Sequence, residues 1–270
     1  SYELGTNGFD PMTTTSALAS AVADRGAVSL DDLDAQAAYL TRIDRKYIVT
    51  PEAAAQAVDA LPVGTLALEI DGSRDFGYCS TYYDTEALAS YLATARRRGK
   101  RYKVRSRTYS DSGLAFLEVK TRRGSSTVKR RVRWQPEPGR LDGAGARYVA
   151  DELAADGLVA EGPLSPVLDV EYRRSTLLLP DASARVTLDI GLRWRRHLSD
   201  RSLQPGAMVI VETKSGARAS DADRLLWRLG HRPSSVSKYA TGLAALSPSL
   251  PSNRWHRLLT SGPLADADPH

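Results

Sequence analysis

Hydrophobic and polar positions alternate through much of this chain, and the polar positions are mostly cationic. The period-two segments read Lys103-x-Arg105-x-Arg107, Glu118-x-Lys120-x-Arg122, Lys129-x-Arg131-x-Arg133, Arg185-x-Thr187-x-Asp189 and Glu212-x-Lys214. Residues two apart on a strand point to one face. Each segment therefore turns an apolar face one way and a charged face the other. The pattern predicts strands at about 41–49, 65–71, 76–84, 100–109, 114–122, 127–134, 166–179, 184–195 and 206–214. Asp111-Ser112-Gly113 and Arg123-Gly124-Ser125 are turn sequences, which makes the central three strands an antiparallel meander.

Helix signals lie between the strands. Ser29 caps a short amphipathic helix to about Leu40, and Thr50-Pro51-Glu52 opens another that ends near Leu61-Pro62. Thr85-Glu86 is expected to cap a helix ending in Arg96-Arg97-Arg98-Gly99. Further helices are predicted at about 144–157, from Ser220 through Leu229, and from Ser237 to Leu246. Residues 1 to 28 are rich in small and polar types and are expected to be loosely held; a tail is expected beyond Ser247. The implied division is an N-terminal extension and helix over 1–40, a main domain over 41–246 and a C-terminal tail over 247–270.

Total charge adds little, with 37 Lys and Arg against 32 Asp and Glu. Its distribution adds more, because acids gather in the helices and bases in the strands. Three same-face cations on one strand repel each other, so a polyanion partner accounts for them better than a solvated face does. Guanidinium forks suit phosphate oxygens. On that basis, replacing Arg105 and Arg107 together is expected to weaken anion binding without unfolding the protein. Tyr172-Arg173-Arg174 adds cations within a strand, and Ser237-Lys238-Tyr239 places one at a helix start, where backbone N–H groups also favour anions. Phe116 to Arg122 and Val209 to Lys214 each put a Glu and a Lys on one face of an otherwise apolar strand. Such a carboxylate is either an ion-pair partner or a ligand for Mg²⁺ or Mn²⁺. The histidines show no ligand spacing, and no P-loop, dinucleotide or nucleophile-elbow motif occurs. The basic strands carry few aromatics on the charged face, which argues against RNA readout.

The lone Cys79 forms no intrachain disulfide, so a reducing compartment, the cytoplasm, is expected. No apolar run reaches transmembrane length and no signal peptide is visible, so the chain reads as soluble.

Nine motifs occur in a recognisable order. They are Arg42-x-Asp44-x-Lys46-Tyr47, Thr81 to Thr85, Lys103-x-Arg105-x-Arg107, Leu117 to Arg122, Lys129-Arg130-Arg131, Tyr172-x-Arg174, Arg185 to Asp189, Val211 to Lys214 and Ser237-Lys238-Tyr239. Over residues 41–246 the set resembles the VTC domain, the polyphosphate-polymerase module of the vacuolar transporter chaperone complex, with stand-alone bacterial relatives among the triphosphate tunnel metalloenzymes. The resemblance implies an α+β fold: a closed antiparallel β-barrel of about eight strands with flanking helices and a lumen lined by Lys and Arg. It implies transfer of the ATP γ-phosphate to a growing polyphosphate chain with Mn²⁺ or Mg²⁺. By position, Lys46, Arg105, Arg107, Lys120, Arg174, Arg185 and Lys238 would bind the triphosphate or product. Lys103, Lys129, Arg131, Lys214 and Tyr239 would extend the substrate-binding wall, and Glu212, with Glu118 as a second candidate, would hold the metal.

Two departures bear on the activity. Other tunnel enzymes begin with Glu-x-Glu-x-Lys, whereas here the acidic positions hold Arg42 and Asp44, which favours a basic polymerase-type tunnel over a two-metal hydrolase. Ser235 stands where relatives often carry another Lys. Eukaryotic relatives add phosphate-sensing and membrane domains that this chain lacks, so any export would need a membrane partner protein. The rival readings are a triphosphatase acting on inorganic triphosphate or nucleotides, and a non-catalytic polyanion-binding module.

Overall fold

The structure, a computed structural model, describes residues 11–37, 43–135, 141–197 and 199–265. Arg42 of the first motif and His270 lie outside the described residues. In chain order the elements are α1 (Pro11–Ala23), β1 (Gly26–Val28), α2 (Leu30–Ala37), β2 (Ile43–Val49), α3 (Pro51–Asp59), β3 (Leu66–Leu68), β4 (Phe76–Asp84), α4 (Ala89–Ala95), β5 (Lys100–Tyr109), β6 (Ala115–Arg123) and β7 (Ser126–Arg133). They continue with α5 (Gly143–Ala155), β8 (Ser165–Leu178), β9 (Ala184–Arg196), β10 (Ser202–Leu203), β11 (Val209–Ser215), α6 (Asp221–Arg228), α7 (Lys238–Leu246) and α8 (His256–Thr260). Among the described residues, no helix is long and apolar enough to cross a membrane.

The strands form an antiparallel path in the order β2-β11-β9-β8-β4-β5-β6-β7, with β1 and β3 paired in parallel beside it. The closed barrel expected from the resemblance is not formed: among the described residues no ladder joins β7 to β2, so the sheet is open. The reason lies in β7. It pairs only with β6, is mostly exposed, and carries Lys129, Arg130, Arg131 and Arg133, whose like charges resist pairing with another strand.

The chain divides into two compact units, and β8 and β9 each contribute residues to both. The first comprises residues up to Arg74, Ser175–Asp189 and Ala207–Ser234. Residues 1–10 of the segment expected to be loose lie outside the described residues, but residues 11–28 are not loose. α1 buries Leu18, Ala21 and Val22, and Arg74 Nη1 donates to the carbonyls of Val22 (3.0 Å), Ala23 (2.8 Å) and Arg25 (2.5 Å). One guanidinium thereby satisfies the carbonyls orphaned at the helix end. Arg25 does the same for α3 through Val58 O and Asp59 O.

α6 is fixed to β2 and β11 through Asp223, which is fully buried. Its carboxylate accepts from Tyr47 Oη at 2.7 Å, Thr213 Oγ1 at 2.6 Å, and the Ser220 N–H and Oγ in a capping box. Burying Tyr47 and Thr213 against α6 sends their strand neighbours Lys46 and Glu212 to the other face.

The second unit comprises Asp75–Arg174, Ile190–Gly206 and Ser235–His270. The β5–β6 face carrying Tyr102, Val104, Leu117 and Val119 packs against Leu141, Val149, Leu153 and Leu164, in and beside α5. Val104 and Ser106 are buried there. The predicted cap of α4 is only half right. Thr85 Oγ1 accepts the Ala89 N–H, but the N–H groups of Ser90 and Tyr91 go to the buried Asp84 carboxylate at the end of β4. The described part of the expected C-terminal tail, up to residue 265, is docked too: Trp255 is buried beside Tyr91 and donates from its indole to Ser235 O.

Candidate anion-binding faces

β5, β6 and β7 present one face of cations around a single carboxylate. Cross-strand register puts Arg105 opposite Glu118, Lys103 opposite Lys120, Arg131 opposite Glu118, and Lys129 opposite Lys120. Glu118 is only 2% exposed. Its Oε2 accepts from Arg105 Nε at 2.7 Å and lies 2.6 Å from Nη2. Its Oε1 accepts from Lys129 Nζ at 2.7 Å, with Arg107 Nη1 at 4.0 Å. Burial pushes this carboxyl up, but Arg105, Arg107 and Lys129 outweigh it and hold the group well below the usual carboxylate range.

Aromatic plates from β4 and β8 complete the face. Tyr78 and Tyr172 stack at 5.2 Å between centroids. Arg107 lies 5.3 Å from the Tyr78 centroid and donates to Tyr172 Oη at 3.1 Å. Arg174 lies 5.3 Å from both rings, and Lys238 Nζ lies 4.6 Å from that of Tyr172. Arg105 donates to Tyr82 Oη at 2.9 Å, and Arg131 covers Phe116. These contacts hold the cations in place. Most of these rings come from β4 and β8, not from the basic strands β5, β6 and β7 on which few aromatics were expected. The signal was present in Tyr78-x-Ser80-x-Tyr82 and Tyr172-x-Arg174, strands that contribute rings rather than runs of charge. Ser80 Oγ, on this face opposite Arg107, is buried without a hydrogen-bond partner.

Lys238 is positioned by a close approach. Trp194 Nε1 donates to Lys238 O at 2.7 Å, and a Cβ on Gly242 would run into the Trp194 indole. Gly242→Ala should therefore push α7 off Trp194, cost about 1–3 kcal/mol of stability and move Lys238 from Tyr172. A lower melting temperature together with weaker triphosphate binding is the expected result. Lys103 Nζ donates to Ser237 Oγ at 2.9 Å, which ties β5 to the start of the same helix. Tyr239 does not line the face: it is 1% exposed, stacks on Tyr82 and donates to Asp84 at 2.5 Å, so its part is packing.

Lys129 is the titratable member of the cluster. Desolvation, reinforced by Arg105 and Arg107 and partly offset by Glu118, pulls its ammonium down to about 7. Anion affinity should fall as pH rises through that value and Lys129 loses its proton. Lys129→Met should flatten the profile. With 42% of the side chain in solvent the change should be only a few-fold. Binding isotherms from pH 6 to 8.5 would measure it.

In the first unit, β2, β11 and β9 present a second charged face. Glu212 stands between Lys46 and Thr187 in register, and Lys214 between Asp44 and Arg185. Lys214 Nζ lies 3.9 Å from Glu212 Oε1. Arg185 Nη2 donates to Leu33 O at 2.8 Å and lies 3.5 Å from Asp34.

The two candidate metal carboxylates differ. Glu118 does not fit a divalent cation, because both its oxygens are engaged by cations. Glu212 fits better. Thr187 Oγ1 beside it is buried without a hydrogen-bond partner, and Asp189 is on the same face of β9. All three offer hard oxygen. Among the described residues no group of three or more His, Cys, Asp or Glu side chains gathers to hold a metal. The protein would thus supply one or two carboxylates, and phosphates would complete the shell, as is usual for Mg²⁺.

The VTC domain family model matches residues 41–247. The chain belongs to the VTC domain family. No curated protein matches it in sequence at a significant level. Solved structures similar to it include HpAC1 from Hippeastrum, an adenylyl cyclase candidate described as having a dominant triphosphatase activity, at 16% identity and a TM-score of 0.45 over 79% of this chain and 99% of that one. A conserved hypothetical protein from Pyrococcus furiosus matches at 9% identity and a TM-score of 0.36, over 70% of this chain and 88% of that one.

Proposed function

We propose that this protein is a metal-dependent polyphosphate polymerase that transfers the γ-phosphate of ATP to a growing polyphosphate chain. The observation that carries the reading is the β5–β6–β7 face, where Arg105, Arg107, Lys120 and Lys129 surround one buried carboxylate in a member of the VTC domain family. Phosphoryl transfer needs positioning and charge neutralisation more than covalent chemistry. Arg105 and Arg107, fixed by Glu118, Tyr82 and Tyr172, would grip phosphate oxygens with little reorganisation. Arg174 and Lys238 would add donors above the stacked tyrosines, and Lys103, Lys120 and Arg131 would extend the grip along the strands. On the other charged face, Lys46, Arg185 and Lys214 would bind phosphate and Glu212 would hold Mn²⁺ or Mg²⁺. Held by Glu212, such an ion would supply neutralisation of the charge that develops on the transferring phosphate.

The test is incubation of purified protein with ATP and Mn²⁺, with products resolved on a polyphosphate-stained gel. Long chains are expected. Free phosphate without chains would replace the proposal with a triphosphatase. Tight, salt-sensitive binding without turnover on any metal would replace it with a binding module.

A further inference from the structure

We infer that a cluster of arginines where β5 begins, formed by Arg97, Arg101, Arg122 and Arg254, is a separate subsite for the distal part of a long phosphate chain. The inference rests on the reading of the neighbouring face as a phosphate-binding surface. Arg101 and Arg122 are cross-strand partners, one step beyond the Lys103–Lys120 pair and on the same face. Arg101 lies four residues from Arg105, about 13 Å along the strand at ~3.3 Å per residue. A triphosphate seated at Arg105 does not extend to it, whereas a longer chain following the row does.

The cluster is built and held. Arg101 Nη1 donates to Arg98 O at 2.5 Å, Arg122 Nε to Gly124 O at 2.9 Å and Arg254 Nη1 to Thr94 O at 2.7 Å. The Arg97 N–H donates to the same Thr94 carbonyl, so Arg97 and Arg254 meet at the end of α4. These anchors are neutral carbonyls and leave the positive charges uncompensated. After burial, the influences on Arg101 are Arg122 and Arg254, and those on Arg254 are Arg97 and Arg122; all lower the guanidinium pKa. Arg254 Nε is buried without a hydrogen-bond partner. Arg97 also holds a φ of 53°, a left-handed conformation that glycine adopts freely and an L-residue only under strain. Guanidiniums crowded together with no carboxylate paired to them among the described residues are an arrangement whose repulsion a polyanion relieves. A flexible chain of phosphates fits a row of forks continuous with the neighbouring face.

The experiment compares wild type with Arg101→Gln/Arg122→Gln for binding of inorganic tripolyphosphate, of long-chain polyphosphate and of phosphatidylserine vesicles, across a salt series. Long-chain affinity should drop about tenfold or more, with a shallower salt slope, while tripolyphosphate affinity stays unchanged. The variant should melt no lower than wild type, because repulsion is removed. Should the double variant misfold, exposed Arg122→Gln alone should still show selective loss for the long chain. Equal loss for both phosphates, no loss for either, or loss confined to vesicles would overturn the subsite. Failure of wild type to bind tripolyphosphate would instead overturn the phosphate-binding reading on which the subsite rests.

Discussion

Glu118→Gln should lower the melting temperature of the unliganded protein by roughly 10 °C and enlarge the upward shift that triphosphate produces. The carboxylate sits 2% exposed among Arg105, Arg107 and Lys129. Removing it leaves three partly buried cations uncompensated, and breaking such a pair costs about 3–5 kcal/mol. At about 2–4 °C per kcal/mol for a chain of this size, the loss is large. A bound triphosphate supplies the missing negative charge, so the variant gains more from ligand than wild type does. The pH dependence has a definite sign. The folded state keeps Glu118 ionised where the unfolded chain would be protonated. Its contribution is therefore present above the ordinary value of 4.5 and is lost as pH falls below it. Wild type should lose stability below about pH 5 more steeply than the variant. An unchanged metal-free melting temperature with abolished metal-dependent turnover would make Glu118 a metal ligand instead. The same geometry adds a stability cost to the expected loss of anion binding at Arg105 and Arg107. Replacing both by Ala leaves Glu118 with Lys129 alone, so the double variant should melt lower without ligand.

What the sequence made legible follows from how local each signal is. Alternation placed the meander strands within a residue or two, and Thr50, Ser220 and Ser237 cap their helices as their side chains predict. That Glu118 could be an ion-pair partner was legible in the sequence, but its partners were not. The partners that matter, Arg105 and Lys129, come from neighbouring strands whose register no local pattern fixes. α1 was missed for a similar reason: its sequence is mostly small and polar residues with few large apolar ones, and the guanidinium that terminates it comes from Arg74, far along the chain. The closed barrel was expected from the resemblance alone; the alternation of β7 predicts a strand, while its charge acts on pairing and not on strand formation. The tyrosines under the cations were missed because the argument followed the strands that carry charge. The stacking partners come from the strands beside them.

Glu212→Gln should give the opposite profile to Glu118→Gln: turnover lost, fold kept. Glu212 faces Thr187, whose hydroxyl is buried without a partner, and its cationic neighbour Lys214 lies at 3.9 Å with 29% of its side chain in solvent. A pair that loose and that wet contributes about 0–1 kcal/mol, and the amide matches the carboxylate in size. Loss of the Lys214 contact should therefore move the metal-free melting temperature by only a few degrees. If Glu212 holds the divalent ion, the amide forfeits charge stabilisation of several kcal/mol at the transferring phosphate, a loss of about a thousandfold or more in rate. Metal-free binding of polyphosphate should be unchanged, because Arg105, Arg107 and Arg174 are untouched. Three measurements on one variant decide the matter: the melting curve without metal, polyphosphate binding in chelator, and turnover across a Mn²⁺ titration. Near-normal turnover at saturating Mn²⁺ would reduce Glu212 to the ion-pair partner of Lys214. A fall in metal-free melting temperature as deep as that of Glu118→Gln would show that it, too, organises cations rather than holding a metal.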